Sequence, residues 1–318
     1  MTVGTIHRRA ILAGAASIVL IPCARAAPPA TIADGAVIGR DEQLVVLEDT
    51  MGRIVAYDSG AYFDKDPTRA GAGDVVAVGS YCGLRVLAPM FTRGVKAIIA
   101  TDAGIGKDEA GISGLKYGEI IGVPVASVAV MSAETSNGRS TLLGTISRAN
   151  AQARALGVFP GQQAWEAAAL LTRAPDGKPV PTRPGDEETP VVVEKTSTGR
   201  IWATPGTTAI HEDISGDVFC SGANSSRVMS DGALRMGAKG AIANDAGIAM
   251  NRSAVEGLFL LDARKVPAAS VATLSARLGE GLSTWNDGII SIVNESAARI
   301  GLKAGMSARA AARAMLEA

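Results

Sequence analysis

The feature that most constrains this chain is that it contains itself twice. Shifted by 143 positions, residues 94–143 meet residues 237–286, and 21 of the 50 paired residues are identical. Unrelated segments share only a few residues over such a length, so the match is an internal repeat of a supersecondary unit. The identities fall in blocks: Asp102-Ala103-Gly104-Ile105 with Asp245-Ala246-Gly247-Ile248, Val123-Pro124 with Val266-Pro267, Ser132-Ala133 with Ser275-Ala276, and Ser140-Thr141 with Ser283-Thr284. Upstream, Gly73-Asp74-Val75 pairs with Gly216-Asp217-Val218, and Gly52-Arg53-Ile54 pairs more loosely with Gly199-Arg200-Ile201. Each copy therefore fills most of its half, residues 40–173 and 189–318. Between them, residues 174–188 carry the proline, glycine and charge of an exposed linker.

Within a copy the order of elements follows from apolar runs and their punctuation. Val45-Val46-Leu47 and Gly52–Tyr57 predict a hairpin, and Asp74–Val78 predicts a strand. A small-residue loop then opens a helix from about Leu84 to Thr92, which Gly94 ends. Ala97-Ile98-Ile99-Ala100 is short and apolar between turn residues, as a buried parallel strand is. A second helical stretch stops at Gly122, Pro124–Val128 adds a strand, and Ser147–Ala155 is expected to be helical. Strands alternating with helices mean a mainly parallel sheet with crossovers. The expected fold is α/β, a tandem duplication whose two copies pack as a pseudo-symmetric pair.

The first 27 residues have the pattern of a cleavable leader. His7-Arg8-Arg9 precedes the apolar run 10–21, and Ala24-Arg25-Ala26 precedes Ala27 with small residues where a signal peptidase reads. Adjacent arginines favour the twin-arginine route, and the run is too short to span a bilayer. The expected location is periplasmic or secreted, with no membrane span after cleavage. Removing residues 1–26 takes away Arg8, Arg9 and Arg25 and no acid, so 31 basic against 31 acidic residues becomes 28 against 31. A balance near −3 gives no electrostatic case for nucleic acid or an anionic membrane. Aromatic residues make up 4%, against 37 glycines, which argues against a carbohydrate binder built on aromatic platforms. Two cysteines, Cys82 and Cys220, and one histidine, His211, are left. Cys82 and Cys220 fit no zinc spacing and, in an oxidising compartment, are free to pair. His211 sits in a polar stretch where an exposed loop histidine is the default.

Several turns carry residues suited to chemistry. Gly79-Ser80-Tyr81-Cys82-Gly83 follows a strand and opens a helix, so backbone N–H groups and the positive helix end converge there, as a carboxylate or phosphate requires. Copy two places Gly222-Ala223-Asn224-Ser225-Ser226 at the same point. Close helix–strand packing explains the same small residues. Cys82 has two readings, a nucleophile with a lowered pKa or a packed thiol, and its counterpart is Ser225. Asp102 and Asp245 end apolar strands, where α/β proteins place ligand contacts, although capping the next turn is the structural alternative. Asp108 and Glu109 add hard oxygen ligands suited to magnesium or manganese, or simply acids at a helix start. Lys107, Asp108 and Arg139 are unique to copy one, since Met250, Asn251 and Leu282 stand opposite them. Two basic residues in one copy alone suggest a hold on an anionic substrate. Ser132, Ser275, Ser140 and Ser283 form a repeated set with the ordinary use of helix caps.

The run Gly73-Asp74-Val75, the Gly/Ser loop, Gly94–Asp102 and Gly122-Val123-Pro124-Val125 resemble the swivelling β/β/α domains, including metal-dependent pyruvate aldolases related to the ribonuclease E inhibitor and the small subunit of aconitase-like dehydratases. The resemblance covers about 60 residues of each copy. In the aldolase-like family a strand end carries Asp-Gly-x-x-Arg-Asp, and the nearest match is Asp102-Ala103-Gly104-Ile105-Gly106-Lys107-Asp108, one residue longer and with lysine for arginine. Lysine offers a point charge in place of a planar fork. Together with the turn residues above, the resemblance points to a divalent-metal-assisted lyase or hydrolase acting on a small carboxylate or carbonyl compound. Asp102, Asp108 and Glu109 would hold the metal. Asp102, Lys107 and Cys82 would carry the chemistry, and Ser80, Gly83, Arg139, Ser225 and Ser226 would hold the substrate. The alternatives are an exported protein that binds a small anion without turnover, and a self-associating structural protein; homo-oligomers fit any of the three.

Overall fold

A computed structural model describes residues 27–40, 42–65, 70–181 and 188–318. Most of the expected leader, residues 1–26, lies outside them. Each half of the chain forms one six-stranded sheet. In the first, β1 (Leu44–Asp49), β2 (Gly52–Tyr57), β3 (Asp74–Tyr81), β4 (Ala97–Thr101), β5 (Val125–Val128) and β6 (Ile146–Ala149) lie side by side in chain order. In the second, β7 (Val191–Lys195), β8 (Arg200–Thr204), β9 (Val218–Asn224), β10 (Gly240–Asn244), β11 (Ala268–Val271) and β12 (Ile290–Val293) do the same. The four central strands of each sheet are parallel, and the outer strands on both sides run antiparallel. Registers repeat as well: Ile98 faces Val125 and Ala241 faces Ala268, the same offset in both copies.

The parallel core follows from the apolar runs read in sequence. Every residue of β4 and of β10 is buried, as strands covered on both faces must be. Successive side chains point to opposite faces, so Val75, Ala77 and Ile99 join one apolar layer while Val76, Val78 and Ile98 join the other. The crossover helix Leu84–Arg93 buries Leu87, Met90 and Phe91 in the second layer, each side chain contributing about 1.5–3 kcal/mol by leaving water. It ends where expected, with Gly94 in the left-handed region. No helix among the described residues is long and apolar enough to cross a membrane.

One expectation about the elements needs correction. Residues 147–155 do not form one helix: Ile146–Ala149 pairs antiparallel with β5, and a short helix, Ala151–Ala155, begins only after Asn150. The switch is made by Asn150, whose Oδ1 accepts the N–H of Ala153 and also that of Val125, so one side chain caps the helix and ties it to the sheet. The described part of the linker is exposed at Pro175, Asp176, Lys178 and Pro179, yet its backbone is anchored to copy one. Gly177 N–H donates to Ala72 and Val180 N–H to Phe91.

The two copies meet through their strand-end turns. A small apolar cluster of Tyr81, Ala103, Val130, Ala246, Ala249, Ala254 and Leu278 lies between the sheets. At its centre Gly104 and Gly247 approach so closely that a Cβ added to either would lie 3.2 Å from the other's Cα, and both have positive φ. The flanking turns share a strained conformation: Ala103 and Ala246, Ile105 and Ile248, and Asp108 and Asn251 all sit at φ between 45° and 69°. Positive φ at a β-branched residue is a strained arrangement that only surrounding contacts sustain, and here it recurs at Ile105 and Ile248.

Candidate functional site

Asp102 and Asp245 end β4 and β10 and are almost fully buried. Oδ1 of Asp102 accepts the N–H groups of Gly104 and Val130, each at 3.0 Å. Oδ1 of Asp245 accepts those of Gly247 at 3.1 Å and Thr273 at 3.0 Å. Each carboxylate thus braces its strained turn against the turn that follows the next strand. This is the capping alternative, realised identically in both copies.

Two of the three charged residues unique to copy one, Lys107 and Asp108, point across to copy two. Lys107 Nζ lies 2.9 Å from Asp287 Oδ2, and Asp108 Oδ2 lies 2.6 Å from Arg277 Nε. The counterpart of the second pair is made by the counterpart residues: Asn251 Nδ2 donates to Glu134 Oε1 at 2.8 Å. The hydrogen bonds from Lys107 and Ser283 hold the Asp287 carboxyl below the usual carboxylate range. Arg139 pairs with Asp34, in the segment preceding the first sheet, at 2.9 Å. Asp108 and Glu109 border an open groove of about 580 Å³ on copy one with Lys116, Glu119, Arg148 and Arg154. Among the described residues, no group of three side chains of ligand type is arranged to hold a metal ion.

The remaining sequence candidates separate. Cys82 is fully buried in a core layer, where burial first and the Asp102 carboxylate second push its thiol far above the usual range. Cys220 is buried in a core of the other copy, which pushes its thiol up to about 12; both are free thiols. Gly83 packs under the Tyr81 ring, and Ser225 is sealed against Ser270 at 2.7 Å. Ser132 and Ser275 are turn latches in place of helix caps: each hydroxyl donates within its turn and accepts the N–H that enters the next strand, that of Thr145 or Ile289.

Ser80 and Ser226, by contrast, face a common space. A cleft of about 730 Å³ opens between the copies where β2, β3, β8 and β9 end. Ser59, Gly60, Ser80 and Arg85 line it from copy one, and Pro205, Gly206, Thr207, Thr208, Asn224 and Ser226 from copy two. The linker closes one side with Glu188, whose carboxylate accepts the N–H groups of Gly281 at 2.9 Å and Leu282 at 2.7 Å. Burial raises the Glu188 pKa against the opposing effect of those two bonds. Burial also lifts the Tyr81 phenol, at the edge of the cleft, to about 12.

No family model, curated protein or solved structure matches the chain. The cleft itself therefore carries the functional reading. Its walls are rich in hydroxyls. Ser80 Oγ accepts the N–H of Gly60 at 3.1 Å, and Ser136 Oγ donates to Ser226 Oγ at 3.0 Å across the copies. His211 reaches the rim, but among the described residues no hydrogen bond joins it to a cleft hydroxyl. Sequence reasoning found Ser80 and Ser226 through the strand–loop–helix pattern. It passed over Thr207, Thr208 and Glu188, because Pro205-Gly206-Thr207-Thr208 aligns with the dissimilar Asp58-Ser59-Gly60-Ala61 and Glu188 belongs to neither copy.

Proposed function

We propose that this is an exported small-molecule-binding protein whose ligand sits between the two copies. One observation carries the reading: the ends of β2 and β3 from one sheet and of β8 and β9 from the other border a single cleft of about 730 Å³. Crevices at the carboxyl ends of parallel strands are where α/β sheets bind ligands, and that volume suits a small molecule. Export rests on the leader-like pattern of the first 27 residues.

The copies pack as a pseudo-symmetric pair in this reading. Its support is the reciprocity of the Asp108–Arg277 and Asn251–Glu134 contacts, each made by residues equivalent to the other's. A lyase or hydrolase using the Asp102 turn is not the favoured reading. Asp102, Lys107 and Asp108 all have structural partners, and none of the three borders the cleft.

The test is to fill the cleft. Ala223 lines it at the end of β9. A library of small polar metabolites screened by ligand-observed NMR should give hits that Ala223→Trp removes while the circular dichroism spectrum stays unchanged. Hits that survive Ala223→Trp would move the site elsewhere.

A further inference from the structure

Four serines run across the cleft from one copy to the other. In copy one Ser80 Oγ accepts the Gly60 N–H and donates to Ser59 Oγ at 3.5 Å, and Ser59 Oγ also accepts the Ala61 N–H. The carbonyl of Gly79, the residue before Ser80, accepts the N–H of Ser136, and Ser136 Oγ donates to Ser226 Oγ of copy two at 3.0 Å. All four serines line the cleft. The two chains of bonds thus end on Ser59 and Ser226, whose oxygens accept but whose own O–H groups find no acceptor among the described residues. These residues are 6% and 1% exposed, so little of either is open to bulk water.

Tyr81, the next residue along β3 from Ser80, adds a third such donor. It is 4% exposed and lines the cleft, and its phenol makes no hydrogen bond among the described residues. Its neighbours place the oxygen: a Cβ added to Gly279 of copy two would lie 3.2 Å from it, and Arg85 and Glu188, both cleft wall, act on its charge. The oxygen is not sealed in the interior. Burial keeps the phenol protonated, so it is a neutral donor. Nearly buried O–H donors without acceptors are costly unless something in the space they border supplies them.

The charges of the cleft are engaged elsewhere. Arg85 Nη1 donates to the Glu188 carbonyl at 3.3 Å, and the Glu188 carboxylate, which Arg85 also attracts, is taken up by the N–H groups of Gly281 and Leu282. His211, the remaining ionisable side chain besides Tyr81, stands at the exposed rim. Lys107 and Arg139, to which sequence comparison assigned an anion, are paired as well. A charged ligand would lose its water here without meeting a free opposite charge.

We infer that the cleft takes a small uncharged polyol, held by the hydroxyls of Ser59 and Ser226 and the Tyr81 phenol. This rests on the cleft being the binding site. A hydroxyl accepts and donates at one oxygen, so a polyol can accept from these three groups and return its own protons to lone pairs of the serine oxygens, whereas a carbonyl only accepts. The Tyr81 ring is itself covered, so it offers no face for a sugar ring to stack on, and an open-chain polyol fits better.

The experiment is a titration with glycerol, erythritol, xylitol and sorbitol, followed by ligand-observed NMR and backbone amide shifts. Gluconate and 1-amino-1-deoxysorbitol, which keep the sorbitol skeleton but end in an anion or a cation, are the charged arms. At least one polyol is expected to bind and to move the amides of Ser59, Tyr81 and Ser226, and the two charged compounds should bind at least about tenfold more weakly than sorbitol. Tyr81→Phe should weaken the best polyol about fivefold. Because the phenol bonds nothing in the free protein, that variant should leave the urea midpoint unchanged, which separates a ligand contact from a structural role. Ser226→Ala should weaken the same polyol by a similar factor. If no polyol binds, or if gluconate or the amine binds as well as sorbitol, the inference falls; the cleft reading stands so long as Ala223→Trp removes hits of the metabolite screen. Polyol binding that Tyr81→Phe and Ser226→Ala both leave intact overturns the assigned contacts. No polyol binding, with no screen hit that Ala223→Trp removes, takes away the cleft reading and this inference together.

Discussion

Replacing Asp102 and Asp245 separates a bracing role from a catalytic one. Each carboxylate accepts two backbone N–H bonds at 3.0–3.1 Å and is 6–7% exposed. A hydrogen bond to a charged group contributes about 1.5–3 kcal/mol to stability, and its loss leaves a buried N–H without a partner. Water entering the space made by alanine recovers part of this, so Asp102→Ala should cost about 3 kcal/mol. Asp245→Ala should cost the same. Asn at either position keeps the Oδ1 acceptor and should cost about 1 kcal/mol. Urea unfolding measures this, with Trp165 reporting copy one and Trp202 and Trp285 reporting copy two. The reasoning fails if Asp102→Ala costs under about 0.5 kcal/mol while Asp245→Ala costs the full amount. Asp102 would then be kept for something other than its turn.

Three further outcomes follow from the same geometry. Lys107→Ala and Asp108→Ala each break an exposed cross-copy ion pair and should cost no more than about 1 kcal/mol in urea unfolding. Ellman's reagent at mildly alkaline pH should detect neither Cys82 nor Cys220 in the native protein and both in concentrated guanidinium, since burial raises both thiols; a fast-reacting native thiol would refute the packing described. The Glu188 pKa is raised in the folded state, so the folded protein binds that proton more readily, and stability from this group grows as the pH falls towards the ordinary value of 4.5. Glu188→Gln should abolish that rise. Asp74, Asp262 and Asp287, held below 3.8, act oppositely, and their contribution is lost as the pH falls through their lowered values.

Much of the fold could be read from local pattern. The apolar run Ala97–Ala100, the stops at Gly94 and Gly122, and the Val-Pro strand start all express short-range preferences, and the structure places them as expected. The exception, Ser147–Ala155, failed because a capping asparagine in mid-segment divides strand from helix through a bond to Val125, 25 residues away. The site was harder to find. Copy comparison picked out Lys107, Asp108 and Arg139 as distinctive, and distinctive they are. Their partners, Asp287, Arg277 and Asp34, lie 180, 169 and 105 residues away, so no local pattern could reveal that these charges are already spent on packing.

The sequence by itself determined that two like units would form, each a mainly parallel sheet with small residues at its strand ends. Only the tertiary structure decided which strand ends face open space. The Asp102 and Asp245 turns press against each other through Gly104 and Gly247 and are consumed in joining the copies. The ends of β2, β3, β8 and β9 are held apart and enclose the cleft. The physical reason is that repetition encodes each unit alone, whereas burial at their contact depends on how the two surfaces meet.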